Sequence, residues 1–160
     1  MQGGSFFIKL TRNKKLNNYI KKIIKNENNK FLLKKTTKNI LNKKIQISLK
    51  EIKKFIKKIN LKNNNLTGYG ASAKCVMLIN LLNLTKDDIK FIVDNTKYKQ
   101  NTLIPGTNIP IIAPKKNKDY LGDYCILFSW NFAQEIIKKE KNRNIKTNWI
   151  VPIPKIKIIK

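Results

Sequence analysis

The 160-residue chain contains no histidine, only two cysteines and only two arginines. Without histidine, this chain cannot itself build a Ser-His-Asp or Cys-His catalytic site or a histidine metal site. The two cysteines, Cys75 and Cys125, are too few for a four-thiolate zinc site and form no C-x-x-C motif. Such sparse cysteine is typical of a reducing compartment, so we expect a cytoplasmic protein. We expect neither a catalytic residue nor a metal ligand in this chain.

Long apolar runs are also missing. No stretch approaches the roughly 18 residues that a membrane-spanning helix needs. The amino-terminal sequence MQGGSFFIKL has too short an apolar stretch, and no cleavage pattern, for a secretory signal. The sequence therefore predicts no membrane partner.

Positive charge dominates what is present, with a formal net charge of +26. Lys, Asn and Ile together supply 81 of the 160 residues, and their codons are A/T-rich, which indicates an AT-rich genome. A solvated lysine surface is therefore favoured over a selected nucleic-acid site, which would use more arginine for bidentate contacts. A basic nucleic-acid-binding protein acting through residues 9–62 stays an alternative, and non-specific binding to polyanions is expected in either case.

Residues 1–62 carry a net charge of +17, against +9 for residues 63–160. We predict an N-terminal strand at Phe6 to Leu10, followed by a lysine-rich helical segment that packs on the main domain. Ser48, with Glu51 three residues later, fits a capping box at the start of one helix. That helix has the apolar face Leu49, Ile52, Phe55, Ile56 and Ile59.

Residues 63–160 read as strands alternating with helices, which predicts an α/β fold with a mostly parallel, Rossmann-like sheet and flanking helices. The predicted strands are 91–93, 109–112, 124–128 and 149–151. The predicted helices are 72–82, a short one near 116–121, and 131–141.

Gly68, Tyr69, Gly70, Ala71, Ser72 and Ala73 fit the pattern G-x-G-x-x-[G/A] at the opening of a helix. In that pattern the first glycine permits a tight turn, and the second lets a phosphate approach the backbone. Lys74 would add a positive charge, and Asp94, about 20 residues on, could accept from ribose hydroxyls. The alternative is a tight turn without a ligand.

Five ordered blocks give a more specific indication: GYGASAK at 68–74, VDNTKYKQ at 93–100, IPGTNIPI at 104–111, FSWNFAQEI at 128–136 and VPIP at 151–154. In this order and spacing they resemble the C-terminal domain of the sugar C-methyltransferases, which use S-adenosylmethionine to methylate a carbon of a nucleotide-linked deoxysugar. Gly3, Gly4 and Ser5 resemble the opening of that domain.

The resemblance implies that the chain helps to hold a nucleotide-linked sugar, with the diphosphate at the glycine loop. The family's cysteine-ligated zinc module and its S-adenosylmethionine domain have no counterpart here. We therefore expect no cofactor on this chain, and S-adenosylmethionine only on a partner domain, such as a separate methyltransferase chain. Three positions depart from the family: Gln2 replaces a histidine, and Cys75 and Asn101 replace glycines.

Several candidate residues also have plainer interpretations. Lys99 and Gln100 fit a solvated loop equally well, and Asn131 is favoured as a helix N-cap. Trp130 is as well explained by a core or interface role as by stacking on a ligand. The residues expected to bind substrate are Gly68, Tyr69, Gly70, Ala71, Ser72, Lys74, Asp94, Lys99, Gln100, Pro105, Gly106, Thr107, Trp130 and Asn131.

We expect these residues on one rim, at the carboxyl ends of the strands. The first functional hypothesis is a C-methyltransferase C-terminal domain encoded without its zinc and S-adenosylmethionine domains. The second is a non-catalytic module that binds a nucleotide or nucleotide sugar.

Overall fold

The computed structural model describes residues 18–29, 35–116 and 118–160. The predicted strand at Phe6 to Leu10, and residues Gln2 to Ser5, lie outside these described residues. The chain divides into two units between Ile47 and Ser48. The predicted domain boundary at residue 62 stays a prediction.

Two lysine-rich helices precede the sheet, α1 (Asn18–Asn29) and α2 (Lys35–Asn60). The predicted capping box at Ser48 is wrong, because α2 begins at Lys35 and Ser48 lies in its interior. The apolar periodicity simply continues upstream of Ser48, so no helix start is needed there. Within the second unit, Ile52, Ile56 and Ile59 of α2 are buried in the core, as their three- and four-residue spacing predicts.

The second unit is built on a six-stranded sheet in the order β3-β2-β1-β4-β5-β6. The first five strands in chain order run parallel, and β6 pairs antiparallel with β5. This arrangement confirms the predicted α/β class with a mostly parallel, Rossmann-like sheet. The strands are β1 (Leu66–Tyr69), β2 (Ile92–Val93), β3 (Ile111–Ile112), β4 (Tyr124–Leu127), β5 (Asn148–Val151) and β6 (Lys157–Ile159).

Two further helices flank the sheet, α3 (Ala73–Leu82) after β1 and α4 (Ala133–Asn142) before β5. Short 3₁₀ turns cover Lys97–Lys99 and Trp130–Phe132. The short helix predicted near 116–121 is wrong, since residues 118–121 form turns. There the Gly122 amide donates to the Asp119 carbonyl, and Gly122 has a φ of +68°, which ends the turn and leads into β4.

Side chains alternate between two cores on opposite faces of the sheet, as the two-residue period of a strand requires. On one face, Ile126 and Phe128 pack with Ile56 of α2 and Ile79 of α3. On the other face, Tyr69, Leu127 and Trp149 pack with residues that include Ile137 of α4. The sheet is therefore the middle layer of three, and its strand ends are the edges left for a site.

Within the described ranges, no helix combines the length and apolar composition that a bilayer crossing requires.

Candidate functional site

The strand order reverses between β1 and β4. From β1 the chain moves to β2 and β3 on one side, and then to β4 and β5 on the other. The carboxyl ends of β1 and β4 therefore border a crevice where neighbouring connections diverge, which is the usual ligand position in open α/β sheets. Gly70 directly follows β1 at this edge, and Ser129 follows β4 after Phe128.

A cleft of about 290 Å³ opens at this edge. We call it the switch-point cleft. Its polar lining comes from residues that follow β2 and β4 and from the first turn of α4. It is lined by Tyr69, Gly70, Asp94, Asn95, Thr96, Ser129, Phe132, Glu135 and Ile136.

The two glycines of the motif have different roles from those that the pattern predicts. Gly68 lies inside β1, where a Cβ atom would stand 2.6 Å from Phe128 Cε2 and would also meet Ile92. The tight turn belongs to Gly70, whose φ is +93° and where a Cβ atom would collide with the Ser129 side chain. The prediction that the first glycine makes the turn is therefore wrong. Gly68 permits close packing between strands, and Gly70 brings β1 and the end of β4 together.

The Asp94 carboxylate accepts a backbone hydrogen bond from the glycine loop and so stabilises the loop's conformation. Its Oδ2 accepts a hydrogen bond from the Ala71 amide at 2.7 Å, and its Oδ1 accepts one from the Thr96 amide at 2.8 Å. Burial alone would raise the pKa of Asp94. The hydrogen bonds from Thr96, the positive charge of Lys99 and the Ala71 amide outweigh burial and hold the pKa below its ordinary value. Contact of Asp94 with a ribose stays a prediction.

Lys99 and Gln100 extend this network. Lys99 Nζ donates to the Ala71 carbonyl at 2.9 Å and lies 3.8 Å from Asp94 Oδ2. Gln100 Nε2 donates to the Asp94 carbonyl at 2.9 Å. The structure thus brings the 68–74 and 93–100 blocks together. The side chains of Lys99 and Gln100 stabilise this arrangement by hydrogen bonds to the backbone of Ala71 and Asp94. Their contact with substrate stays a prediction.

The start of α3 and the end of β4 meet beside the cleft. Ser72 is the N-cap of α3 and accepts from the Cys75 amide at 3.4 Å. Lys74 Nζ lies 5.1 Å from the centre of the Trp130 ring, which is a cation–π arrangement. Asn131 is exposed in the 3₁₀ turn, and its predicted N-cap role is wrong because α4 begins at Ala133, after Phe132.

The Pro105-Gly106-Thr107 turn lies elsewhere. The Thr107 amide donates to the Ile104 carbonyl at 3.0 Å, and Gly106 has a φ of +78°, which fits a type II turn. The segment precedes β3, which runs parallel to β2, so the turn lies toward the amino edge of the sheet. Asn80, near the end of α3, donates to the Pro105 carbonyl at 3.1 Å. The prediction that Pro105, Gly106 and Thr107 share the rim of the glycine loop is therefore wrong, while their contact with substrate stays a prediction.

An ion pair between buried Glu140 and partly exposed Arg143 lies behind the cleft on the α4 side of the sheet. Glu140 is 0% exposed, and its Oε2 accepts from Arg143 Nη1 at 2.7 Å. The Tyr69 hydroxyl donates to Glu140 Oε1 at 2.9 Å, and Asn95 Nδ2 donates to the Tyr69 hydroxyl at 3.3 Å. Burial and the nearby Glu140 charge raise the pKa of Tyr69, so the phenol keeps its proton.

The local structure accommodates Asn101 and Cys75, the two residues that stand where the resemblance predicts glycine. Asn101 has a φ of +63°, a left-handed conformation that asparagine adopts more readily than most residues. Cys75 lies in α3 with 0% exposure, and burial raises the pKa of its thiol. Burial also raises the pKa of Cys125, to about 12. Both cysteines therefore pack as small apolar side chains. Among the described residues, no cluster of His, Cys, Asp and Glu could hold a metal ion.

A larger groove of about 1000 Å³ lies at the opposite edge of the sheet, near Asn65, Gly122 and Asp123. These residues precede β1 and β4, so the groove is at the amino ends of the strands and away from the chain reversal. We therefore take the smaller switch-point cleft as the candidate site.

Sequence reasoning missed Asn95, Thr96, Ser129 and Phe132, all of which line the cleft. Each lies within five residues after the end of β2 or β4. Position after a predicted parallel strand was the available signal, because ligands bind outside the carboxyl ends of such strands. The glycine motif and the matched blocks drew attention to their neighbours instead.

Strand order, glycine turn and crevice define a Rossmann-like α/β domain with its candidate site at the carboxyl edge. A family model described as C-methyltransferase C-terminal domain matches residues 1–154, and the chain belongs to this family. The chain is also 34% identical over 110 residues to the C-methyltransferase NovU of Streptomyces niveus. That alignment covers 68% of this chain and 26% of NovU, so the matched region spans about a quarter of that relative.

Proposed function

We propose that the chain is the substrate-holding C-terminal domain of a C-methyltransferase that acts on a nucleotide-linked sugar. Family membership supports the methyltransferase assignment. The observation that carries the substrate class is the polar lining of the switch-point cleft, where Ser129 and Glu135 offer a hydroxyl and a carboxylate group. Such groups suit the hydroxyls of a sugar.

In this proposal S-adenosylmethionine binds to a partner domain or chain, which presents the methyl group to the held sugar. The hydrogen bonds of Asp94 favour this separation of cofactor binding on the partner from sugar binding on this chain. The acid after β2 would be the natural partner for ribose hydroxyls, yet both of its oxygens accept hydrogen bonds from the chain's own amides, Ala71 and Thr96. A cofactor ribose would have to displace or share those hydrogen bonds.

The experiment is a calorimetric and thermal-shift screen of the purified chain with thymidine and uridine diphosphates, their glucose conjugates and S-adenosylmethionine. Binding to the folded state raises the unfolding midpoint by mass action. We expect shifts with the sugar conjugates and none with S-adenosylmethionine. A response to S-adenosylmethionine alone, or to none of the nucleotides, would reject the proposal.

Two substitutions on one helix provide a matched comparison. Glu135 and Gln134 are both exposed at the start of α4, but only Glu135 lines the cleft. Glu135→Ala should weaken binding of the sugar conjugates, and Gln134→Ala should leave it unchanged. Equal effects of both changes would indicate that the ligand lies away from the cleft.

A further inference from the structure

One wall of the switch-point cleft takes its hydrogen-bonding direction from the Glu140–Arg143 ion pair behind it. Glu140 is fully buried on α4, and its carboxylate is paired with Arg143 at 2.7 Å. A carboxylate in such a pair can only accept hydrogen bonds. Tyr69, 2.9 Å from the other carboxylate oxygen, must therefore donate its single hydroxyl proton to Glu140.

This direction fixes the next group in the chain of contacts. With its proton given to Glu140, the Tyr69 oxygen can act only as an acceptor toward its remaining neighbours. Asn95 lies 3.3 Å from that oxygen and must present its Nδ2 amide group, not its carbonyl oxygen. The orientation of the Asn95 carboxamide thus follows from the hydrogen-bond directions that the Arg143–Glu140 pair imposes on Tyr69.

The side-chain carbonyl oxygen of Asn95 therefore remains available to accept a hydrogen bond from a ligand in the cleft. Asn95 is exposed and lines the cleft together with Ser129 and Glu135. Within the described part of the chain, Oδ1 of Asn95 makes no hydrogen bond, because its only side-chain bond there uses Nδ2. Among the residues that the structure describes, no lysine or arginine lines this cleft. The cleft therefore suits neutral groups that donate hydrogen bonds better than it suits a diphosphate.

We propose that Asn95 is a specificity-determining residue whose Oδ1 accepts a hydrogen bond from a hydroxyl of the bound sugar, and that Tyr69 is the residue that positions it. This inference deepens the proposed function and rests on it, because the sugar of a nucleotide-linked sugar supplies the hydroxyl. The diphosphate then lies outside the cleft. The Glu140–Arg143 pair acts through Tyr69 and does not contact the ligand.

The first test compares affinities of the whole chain for thymidine diphosphate-glucose, uridine diphosphate-glucose and the two free diphosphates. Asn95→Ala should weaken the glucose conjugates roughly three- to ten-fold, the effect expected of one neutral hydrogen bond, and leave the free diphosphates unchanged. The matched control is Asn142→Ala, another exposed asparagine, at the end of α4 and away from the cleft.

A double-mutant cycle tests the positioning role of Tyr69. Tyr69→Phe removes the acceptor that orients Asn95, so it should weaken the conjugates by itself. Asn95→Ala should then cost less in the Tyr69→Phe background than in the native chain. Coupling in affinity, with unfolding midpoints measured in parallel, separates positioning from a general loss of stability. The side-chain amide resonances of Asn95 should also shift in Tyr69→Phe without any ligand.

The outcomes are distinguishable. Binding of the conjugates with no effect of Asn95→Ala overturns the inference and leaves the proposed function intact. Equal weakening of conjugates and free diphosphates also overturns it, because the donor would then lie in the nucleotide. Additive effects of the two substitutions overturn the role of Tyr69. Binding of none of the four nucleotides rejects the inference together with the proposed function.

Discussion

The carboxylate of Asp94 accepts a hydrogen bond from the backbone amide of Ala71 at 2.7 Å. In a glycine-rich loop of this kind the backbone amides are the groups that a phosphate would take. Here an internal anion takes one of them, and Lys99 lies 3.8 Å away to balance its charge. An internal carboxylate thus closes the loop, so under the proposed function we expect the ligand in the neighbouring switch-point cleft.

Asp94→Asn should destabilise the fold in a pH-dependent way. The folded-state pKa of Asp94 is below its ordinary value, so the carboxylate contributes stability above the unfolded pKa of about 3.9, and this contribution is lost as pH falls through the folded pKa. At pH 7 we expect a loss of about 1–3 kcal/mol, typical of a partly buried, hydrogen-bonded charge. Urea unfolding of both proteins from pH 7 to pH 2.5 measures it. A difference that stays constant over that range would contradict the assigned carboxylate role.

Gly70→Ala should destabilise the fold for two separable reasons. The φ of +93° is strained for any residue with a Cβ, and that Cβ would collide with the Ser129 side chain. We expect a cost of about 2 kcal/mol or more from strain and overpacking together. Adding Ser129→Gly to the Gly70→Ala chain should recover only the part of the lost stability that comes from the collision. Thermal unfolding of the two single variants and the double variant checks this, and no recovery would show that backbone strain alone sets the cost.

The sequence predicted the elements that repeat a pattern and missed those that depend on tertiary partners. Strands such as 124–128, and the helix after Gly70, follow from short apolar runs and from the Ser72 cap. β6 was not foreseen, because Lys157–Ile159 is too short to be read without its partner β5. The role of Asp94 toward Ala71 was equally hidden, since the two residues lie 23 positions apart and only the fold joins them.

Four asparagines occupy left-handed backbone positions that the sequence pattern does not reveal. Asn63, Asn83, Asn101 and Asn144 all have φ between 50° and 63°, where glycine is the usual residue. A motif with glycine at this position marks Asn101 as a mismatch, but asparagine tolerates the same left-handed backbone conformation.

The lysine face of α2 should bind polyanions without selectivity. Lys54, Lys57 and Lys58 are exposed on the part of this helix that packs on the sheet. Changing all three to Gln should weaken binding to a short DNA duplex and to heparin alike. It should also flatten the dependence of log affinity on log salt by about 0.9 for each DNA phosphate that the chain no longer neutralises. Fluorescence anisotropy at a series of salt concentrations measures this. A marked preference for one DNA sequence would instead support a selected nucleic-acid site.

Arg143→Met should destabilise the fold through the α4 side of the sheet. It leaves the Glu140 carboxylate, which is 0% exposed, without its 2.7 Å cationic partner. Removing one partner of a fully buried ion pair costs about 3–5 kcal/mol. Because the Arg143 side chain is 31% exposed, we expect a smaller cost here, of roughly 1–3 kcal/mol. The double variant Arg143→Met with Glu140→Gln removes that charge and should recover a large part of the stability. Denaturant unfolding of the native chain, both single variants and the double variant gives the coupling energy directly. Additive effects would mean that Glu140 is held mainly by Tyr69 and by the packing of α4, and that the orientation of the cleft wall does not originate at Arg143.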